Sequence, residues 1–433
     1  MLYYSLNKIS PKVNFSEATI HGQAPDKGLY FPENIAALPG DLINNIANYT
    51  NEDIAYKVIA PYVGDTIPAE VLQKIIRETI NFKFPLQQVT DKIFSLELFH
   101  GPTLAFKDVG ARFMARCLGY FLKNEKKNTT VLVATSGDTG GAVADGFYDV
   151  DGINVVILYP AGKISTIQEL QMTTHGKNIN AIAVNGSFDD CQKLVKQAFT
   201  DTGLSKKLSL TSANSINVAR WLPQQFYYFF AWKYWADKDH PPVISVPSGN
   251  FGNICAGILS MLGGIPFRHF IAASNSNDVL TGYFKSGVYR PKVSVATISN
   301  AMDVGDPSNL KRVIELFEND LDKFKKNVSS FSCTDEETKQ TICRINLQYN
   351  YLLDPHGAVG FLALEKYLKK QSGQKGIFLE TAHPVKFLDV VEPVIQKKIP
   401  LPTHLQNISH RKKNVTTMDA NYEKFSNYLL AMG

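Results

Sequence analysis

The 433-residue sequence predicts an α/β fold built on parallel sheets. Three observations carry this. Short, uniformly apolar runs recur along the chain, each leads into a loop of Gly, Ser, Thr or Asn, and apolar residues at helical spacing follow. Strands that are apolar along their whole length belong to sheets covered on both faces, and their alternation with helices makes those sheets parallel. The length suggests two or three folded units, and a hydrophobic fraction of 44% with 20% charged residues is that of a globular protein.

Residues 1–90 form a first unit of short apolar runs cut by Asn, Pro and Gly. Within it, residues 69–76 have helical spacing, and Gly28, Leu29, Tyr30, Phe31 and Pro32 read as a turn and a packed strand. After Pro85 the pattern becomes strand, glycine-rich loop and helix. Strands are predicted at 131–134, 154–160, 180–184 and 243–247. Val109, Phe113, Cys117 and Phe121, at steps of four, mark a helix that begins at or near Lys107. The lysine-rich stretch 321–340 reads as exposed helices and connections, and the residues from Leu401 onward as a peripheral segment.

Net charge is +5, from 45 basic and 40 acidic residues spread along the chain, which argues against nucleic-acid binding and suits an anionic ligand. Five cysteines without a CxxC pair imply reduced thiols and a cytoplasmic protein. Cys117 and Cys255 fall in apolar helical patterns and read as inert core thiols. The N-terminus lacks a signal-peptide pattern and no apolar run approaches about 18 residues, so neither export nor membrane insertion is expected.

The candidate chemistry starts at Lys107. An amine at a helix start meets the positive end of the helix field, which favours its neutral, nucleophilic form, able to bond an aldehyde cofactor. A solvated surface lysine is the bland alternative. The loop Ser248, Gly249, Asn250, Phe251, Gly252, Asn253 precedes a helix and reads either as a phosphate cradle or as a plain turn. It has neither the Walker ending nor GxGxxG spacing, which argues against a nicotinamide-dependent dehydrogenase. Thr135, Ser136, Gly137, Asp138 and Thr139 make a second strand-to-helix turn suited to a carboxylate, with Asp138 placed to cap the helix or to contact ligand. The cluster from Ser212 through Asn214 to Asn217 leads to Arg220, an anion clamp or a surface ion-pair residue. Thr381, Ala382, His383 and Pro384 close an apolar run, with His383 a packed or turn residue. His100, His356 and His383 form no metal-ligand spacing, and no metal is expected. One candidate lysine with anion cradles points to pyridoxal phosphate (PLP).

These motifs, in this order, resemble the threonine synthase family. They are the run from Leu98 to Asp108 around Lys107, Thr135 to Gly140, Ser212 to Asn217, Pro247 to Gly252, and Thr381 to Pro384, with the Gly28 to Pro32 segment as an N-terminal signature. The resemblance spans about residues 1–395. It implies a fold-type II, tryptophan synthase β-like PLP enzyme that converts O-phospho-L-homoserine and water to L-threonine and phosphate. It implies an N-terminal domain at 1–90, a catalytic region of two α/β lobes at 91–395 with the smaller lobe roughly at 108–235, and a C-terminal segment at 396–433. By resemblance, Lys107 is the Schiff-base lysine, and Ser248, Gly249, Asn250, Phe251, Gly252 and Asn253 hold the cofactor phosphate. Thr381 faces the pyridine nitrogen. Ser136, Gly137, Asp138 and Thr139 take the substrate carboxylate, and Asn214 and Arg220 the substrate phosphate. Many relatives carry Asp at the position of Asn253. A phosphohomoserine-eliminating lyase, a serine/threonine dehydratase and a noncatalytic phosphate-binding protein on the same scaffold are the competing readings.

Overall fold

The computed structural model describes residues 1–123 and 128–432; residues 124–127 of the smaller lobe and residue 433 of the C-terminal segment lie outside it. The strands run β1 (Tyr3–Ser5), β2 (Tyr30–Pro32), β3 (Leu86–Gln88), β4 (Ile93–Glu97), β5 (Thr129–Ala134), β6 (Ile153–Pro160) and β7 (Ile179–Asn185). They continue with β8 (Ser209–Ser212), β9 (Val243–Pro247), β10 (His269–Ser274), β11 (Val328–Ser332), β12 (Gly376–Glu380) and β13 (Val415–Asp419). They build two sheets and a short ribbon.

The larger sheet has the order β11-β10-β9-β12-β4-β3, parallel except for the β3–β4 hairpin. The smaller sheet, β13-β7-β6-β5-β8, is parallel throughout. Every residue of β5, β9 and β12 is buried, as their apolar composition requires of central strands covered on both faces. The N-terminal ribbon β1–β2 is antiparallel and packs with helices Asn51–Val63 and Ala69–Thr79 into the main core. Thr50 and Asp53 cap the first of these reciprocally, and Leu72, Ile75 and Ile76 bury one face of the second.

Two stretches differ from their sequence reading. Within 321–340, residues of β11 pair with β10 and form an edge of the larger sheet. The C-terminal segment is integral to the smaller lobe: β13 pairs with β7, and Met418, Phe425 and Leu429 join the core formed by Cys191, Leu194 and Val195. Both strands lie at edges and are mostly polar or half-exposed, so they lack the apolar run that betrays a central strand. At the other end, β3 and β4 already belong to the larger sheet, so residues 86–90 side with the lobes rather than with the first unit.

The helix Lys107–Leu122 lies between these parts. Val109, Phe113 and Cys117 are buried along one face and Phe121 packs edge-on against Phe15 of the N-terminal unit. Among the described residues no helix is long and apolar enough to cross a membrane, and no cluster of three potential metal ligands occurs. The five cysteines are free, with Cys117 and Cys255 fully buried and their thiols pushed up by burial.

Candidate active site

The carboxyl ends of β5, β9 and β12 converge, and the loops that follow them line one cavity with Lys107. This is where open parallel sheets bind ligands. Backbone pairing fixes the lysine there. Leu98 donates to the carbonyl of Glu380, Phe106 to that of Thr381 at 2.9 Å, and His383 to that of Leu104. The loop after β4 is thereby zipped to the end of β12, so that Lys107 begins its helix beside Thr381. Tyr227 fixes the same turn by donating its hydroxyl to the Phe106 carbonyl.

The Lys107 amine is lowered to about 8, in the direction expected but through a different leading cause. Burial strips water from the ammonium first; Asp138 opposes the shift, and the cations Arg220 and Lys386 add to it.

The loop after β9 is shaped as a cradle. A Cβ on Gly249 would lie 2.6 Å from the Met302 Cα, so only glycine fits against that turn. Phe251 adopts a left-handed conformation, φ 60°, at the start of the helix Gly252–Leu262, a strain of about 1–3 kcal/mol for a non-glycine residue. Among the described residues, the amides of Gly249, Asn250 and Phe251 donate to no backbone carbonyl. Those of the first helical turn join them, giving an anion site of unpaired N–H groups. Ser248 is spent on structure, donating its hydroxyl to Val246. Asn250 ties the cradle to the cluster before Arg220 by donating to the Ser215 hydroxyl at 2.8 Å, and Asn309 donates to that same hydroxyl. The Oδ1 of Asn253 accepts from Tyr228 at 2.8 Å, while its buried Nδ2 has no partner. A carboxylate would accept the same bond, so Asn here removes a buried charge and leaves an unused donor in the wall of the cavity.

In the turn after β5, Thr135 Oγ1 accepts from the amides of Gly137 and Gly140, and Ser136 and Thr139 face the cavity. Gly137 supplies the turn, at φ 135°, rather than a wall. Asp138 does not cap its helix. Its Oδ1 pairs with Lys386 at 2.7 Å and accepts from Gln168 at 3.0 Å, and its carboxyl is held well below the usual range by Lys386, Lys107 and His356 despite burial. Asn214 Nδ2 donates to the Ala134 carbonyl, fastening the end of β8 to that of β5.

Arg220 is not a surface ion-pair residue. It is 4% exposed, and its Nη1 donates to the Lys107 carbonyl at 3.1 Å. Its Nε has no partner, and among the described residues no carboxylate pairs with it. Burial lowers it to about 10, so it keeps its charge. Gly110 brings it close: a Cβ there would lie 2.5 Å from the Arg220 carbonyl oxygen. A buried, unpaired cation is costly until an anion meets it.

Sequence reasoning did not find Ser215, Gln168, His356 or Lys386. Ser215 lies inside a cluster already singled out. The ring of His356 accepts from the Ala301 amide through Nε2 and contacts Asp354 through Nδ1, so it holds the 301–302 turn over Gly249. His383 is the turn residue expected, its ring accepting from the Val385 amide. No local sequence signal distinguishes Lys386, whose partners Asp138 and Thr103 are far away in the chain, or the contact of His356 with Ala301, 55 positions off.

The residues fit a phosphorylated aldehyde cofactor: an amine near neutrality, a cradle of unpaired amides and an unused Asn253 donor border one space. The fold and site define a PLP-dependent enzyme of fold type II. In keeping with this, the family model described as "Pyridoxal-phosphate dependent enzyme" matches residues 83–379. Models described as "Threonine synthase N terminus" and "Threonine synthase, C-terminal" match residues 2–80 and 357–429. The chain is 43% identical to the threonine synthase of Haemophilus influenzae over 432 residues, covering 99% of this chain and 100% of that protein. The solved threonine synthase of Escherichia coli superposes with a TM-score of 0.93 at 39% identity, covering 100% of both chains. A PLP-bound threonine synthase from Brucella melitensis gives 0.93 at 35% identity, covering 100% of this chain and 99% of that one. The chain belongs to the threonine synthase family.

Proposed function

We propose that this cavity converts O-phospho-L-homoserine and water to L-threonine and phosphate, with Lys107, the amides of Gly249 to Asn253, Thr381, Ser136, Thr139, Asn214 and Arg220 in the roles their family motifs imply. The observation that carries the reading is one half-buried amine, lowered to about 8, sharing a cavity with two separate anion sites, the 249–253 cradle and the buried, unpaired Arg220. A cofactor phosphate and a substrate phosphate need two such sites; a dehydratase of unphosphorylated amino acids needs one.

Lys107 would bond the cofactor aldehyde, the amides from Gly249 to Asn253 would hold its phosphate, and Thr381 would face its ring nitrogen. When bound, PLP withdraws electrons from the substrate α-carbon and makes its proton labile. The chain does the rest. Lys107, lowered to about 8 so that a fraction of the amine is neutral near physiological pH, takes and returns that proton. Ser136 and Thr139 orient the substrate carboxylate at the helix start, with Gly137 shaping the turn. Asn214 and Arg220 hold the substrate phosphate until it leaves, and Arg220 meets there the anion its burial calls for. Asp138 supports this loop through Lys386 and Gln168 instead of touching substrate, since a carboxylate facing a substrate carboxylate would repel it. Five free cysteines suit a reducing compartment, and the cytoplasm is the location we assign.

The test is the product balance. Purified protein supplied with PLP and O-phosphohomoserine is expected to release threonine and phosphate in equal amounts. Phosphate accompanied by 2-oxobutyrate in place of threonine would overturn the reading in favour of an eliminating lyase.

A further inference from the structure

Lys386 is a lysine beside the site, 0% exposed, to which the reaction above assigns no chemical step. It sits in the short turn Pro384–Phe387 after β12, held by its own amide donating to the His383 carbonyl and by the His383 ring accepting from Val385. Its ammonium makes two contacts: Asp138 Oδ1 at 2.7 Å and the Thr103 carbonyl at 2.9 Å. Gln171 donates to that same carbonyl, and Thr103 in turn binds the Asp108 carboxylate through its amide and hydroxyl. Lys386 therefore reaches from the end of a strand of the larger sheet to the loop after β5 of the smaller one. It does not line the cavity.

The charges around Lys107 give that contact a meaning. From the helix Asp138–Gly146 comes the Asp138 carboxylate, from the helix Val218–Trp221 the Arg220 guanidinium, and from the turn after β12 the Lys386 ammonium. Tyr227 faces the preceding carbonyl, Asp108 is engaged by Thr103, and His356 faces Asp138 from the helix Pro355–Leu368. Asp138 is the carboxylate in this set whose charge favours a protonated Lys107. Left unclaimed, its charge would be open to Lys107, which lines the same cavity and is the next cation acting on it after Lys386.

We propose that Lys386 is a positioning residue that claims Asp138 at 2.7 Å and so keeps this carboxylate from pairing with Lys107. The pair does double duty: it fixes the 136–139 loop against the larger sheet, and it leaves the neighbourhood of Lys107 without a free negative charge. The proposal rests on Lys107 being the residue that bonds PLP.

The experiment is a pH titration of the visible absorbance of the PLP-loaded protein in four forms. Lys386→Met frees Asp138 and is expected to move the midpoint upward by about one pH unit or more, since an opposite charge nearby favours the protonated form. Asp138→Asn leaves the Lys386 cation unopposed and moves the midpoint downward. The double variant returns close to the parent, and Lys386→Arg, which keeps the charge, stays near it. A midpoint unmoved or lowered in Lys386→Met overturns the proposal, as does a double variant that retains the full rise. Should Lys386→Met fail to fold, Asp138→Asn decides alone: a downward move upholds the proposal and any other result overturns it. Lys107→Ala separates the two readings. Persistence of the titrating band in that variant refutes the role of Lys107 itself, whereas a band that needs Lys107 but ignores Lys386 refutes only this inference.

Discussion

At the scale of single residues, the half-buried Lys107 and the buried Arg220 are two cations for which loss of water is costly. Lys107 meets the cost by losing its proton easily; Arg220 keeps its charge and stays open to an anion. Lys107→Ala is expected to lower kcat by at least about 100-fold, the low end for removing a general base. For Arg220→Ala, loss of a charged hydrogen bond to substrate raises KM by about ten- to a hundredfold with PLP retained. Removing this cation also relieves Lys107 of a neighbour that lowers it. The amine then titrates higher, and the acid limb of the pH–rate profile moves up. A KM unchanged from the parent, or loss of PLP, would take Arg220 away from the substrate phosphate. Lys107 and Gly249–Asn253 were legible as candidates, because motif and glycine loop are contiguous there, and the structure places them on one cavity. Arg220 was legible only as a choice between clamp and surface residue, because burial decides it and burial belongs to the fold.

Elements meet at points where there is no room for a side chain. A methyl at Gly249 would strike the 301–302 turn. Gly249→Ala should therefore weaken PLP binding by about 1–3 kcal/mol, the usual cost of overpacking a backbone contact, read as a higher PLP concentration needed for half-saturation. The pair Asp138–Lys386 joins the loop after β5 to the turn after β12. Its depressed carboxylate contributes stability that is fully present above the ordinary carboxylate range near 4 and is lost as pH falls further. Breaking it from one side leaves a buried charge, so Lys386→Met should cost about 3–5 kcal/mol in denaturant unfolding, more than the double variant costs. The interior strands β4 and β10 were not singled out, whereas strands β5, β6, β7 and β9 and the run of β12 were readable from apolar runs. The cross-connections were not: Lys386 and Asp138 are 248 positions apart in the sequence, and nothing local to either names the other.

For the whole molecule, the two sheets are not equally self-sufficient. The larger is completed by β3, from the end of the stretch assigned to the first unit, and by β11, from the stretch read as exposed helices and connections, and the smaller by β13 from the C-terminal end. Edge strands can be polar on both faces, so pattern reading gives no warning of them. Met418, Phe425 and Leu429 bury about 1.5–3 kcal/mol each of apolar stabilisation in the smaller lobe. Deleting residues 411–433 should therefore lower the thermal midpoint and impair substrate binding, since the 136–139 loop rises from that sheet. An unchanged midpoint would make the C-terminal strand dispensable.

The central claim is that Lys107, and not its buried neighbour Lys386, bonds the cofactor. Borohydride reduction of the PLP-loaded protein, followed by peptide mass spectrometry, tests it directly. The account predicts the reduced pyridoxyl group on the peptide containing Lys107 and none on Lys386; label on Lys386, or on neither, would contradict it.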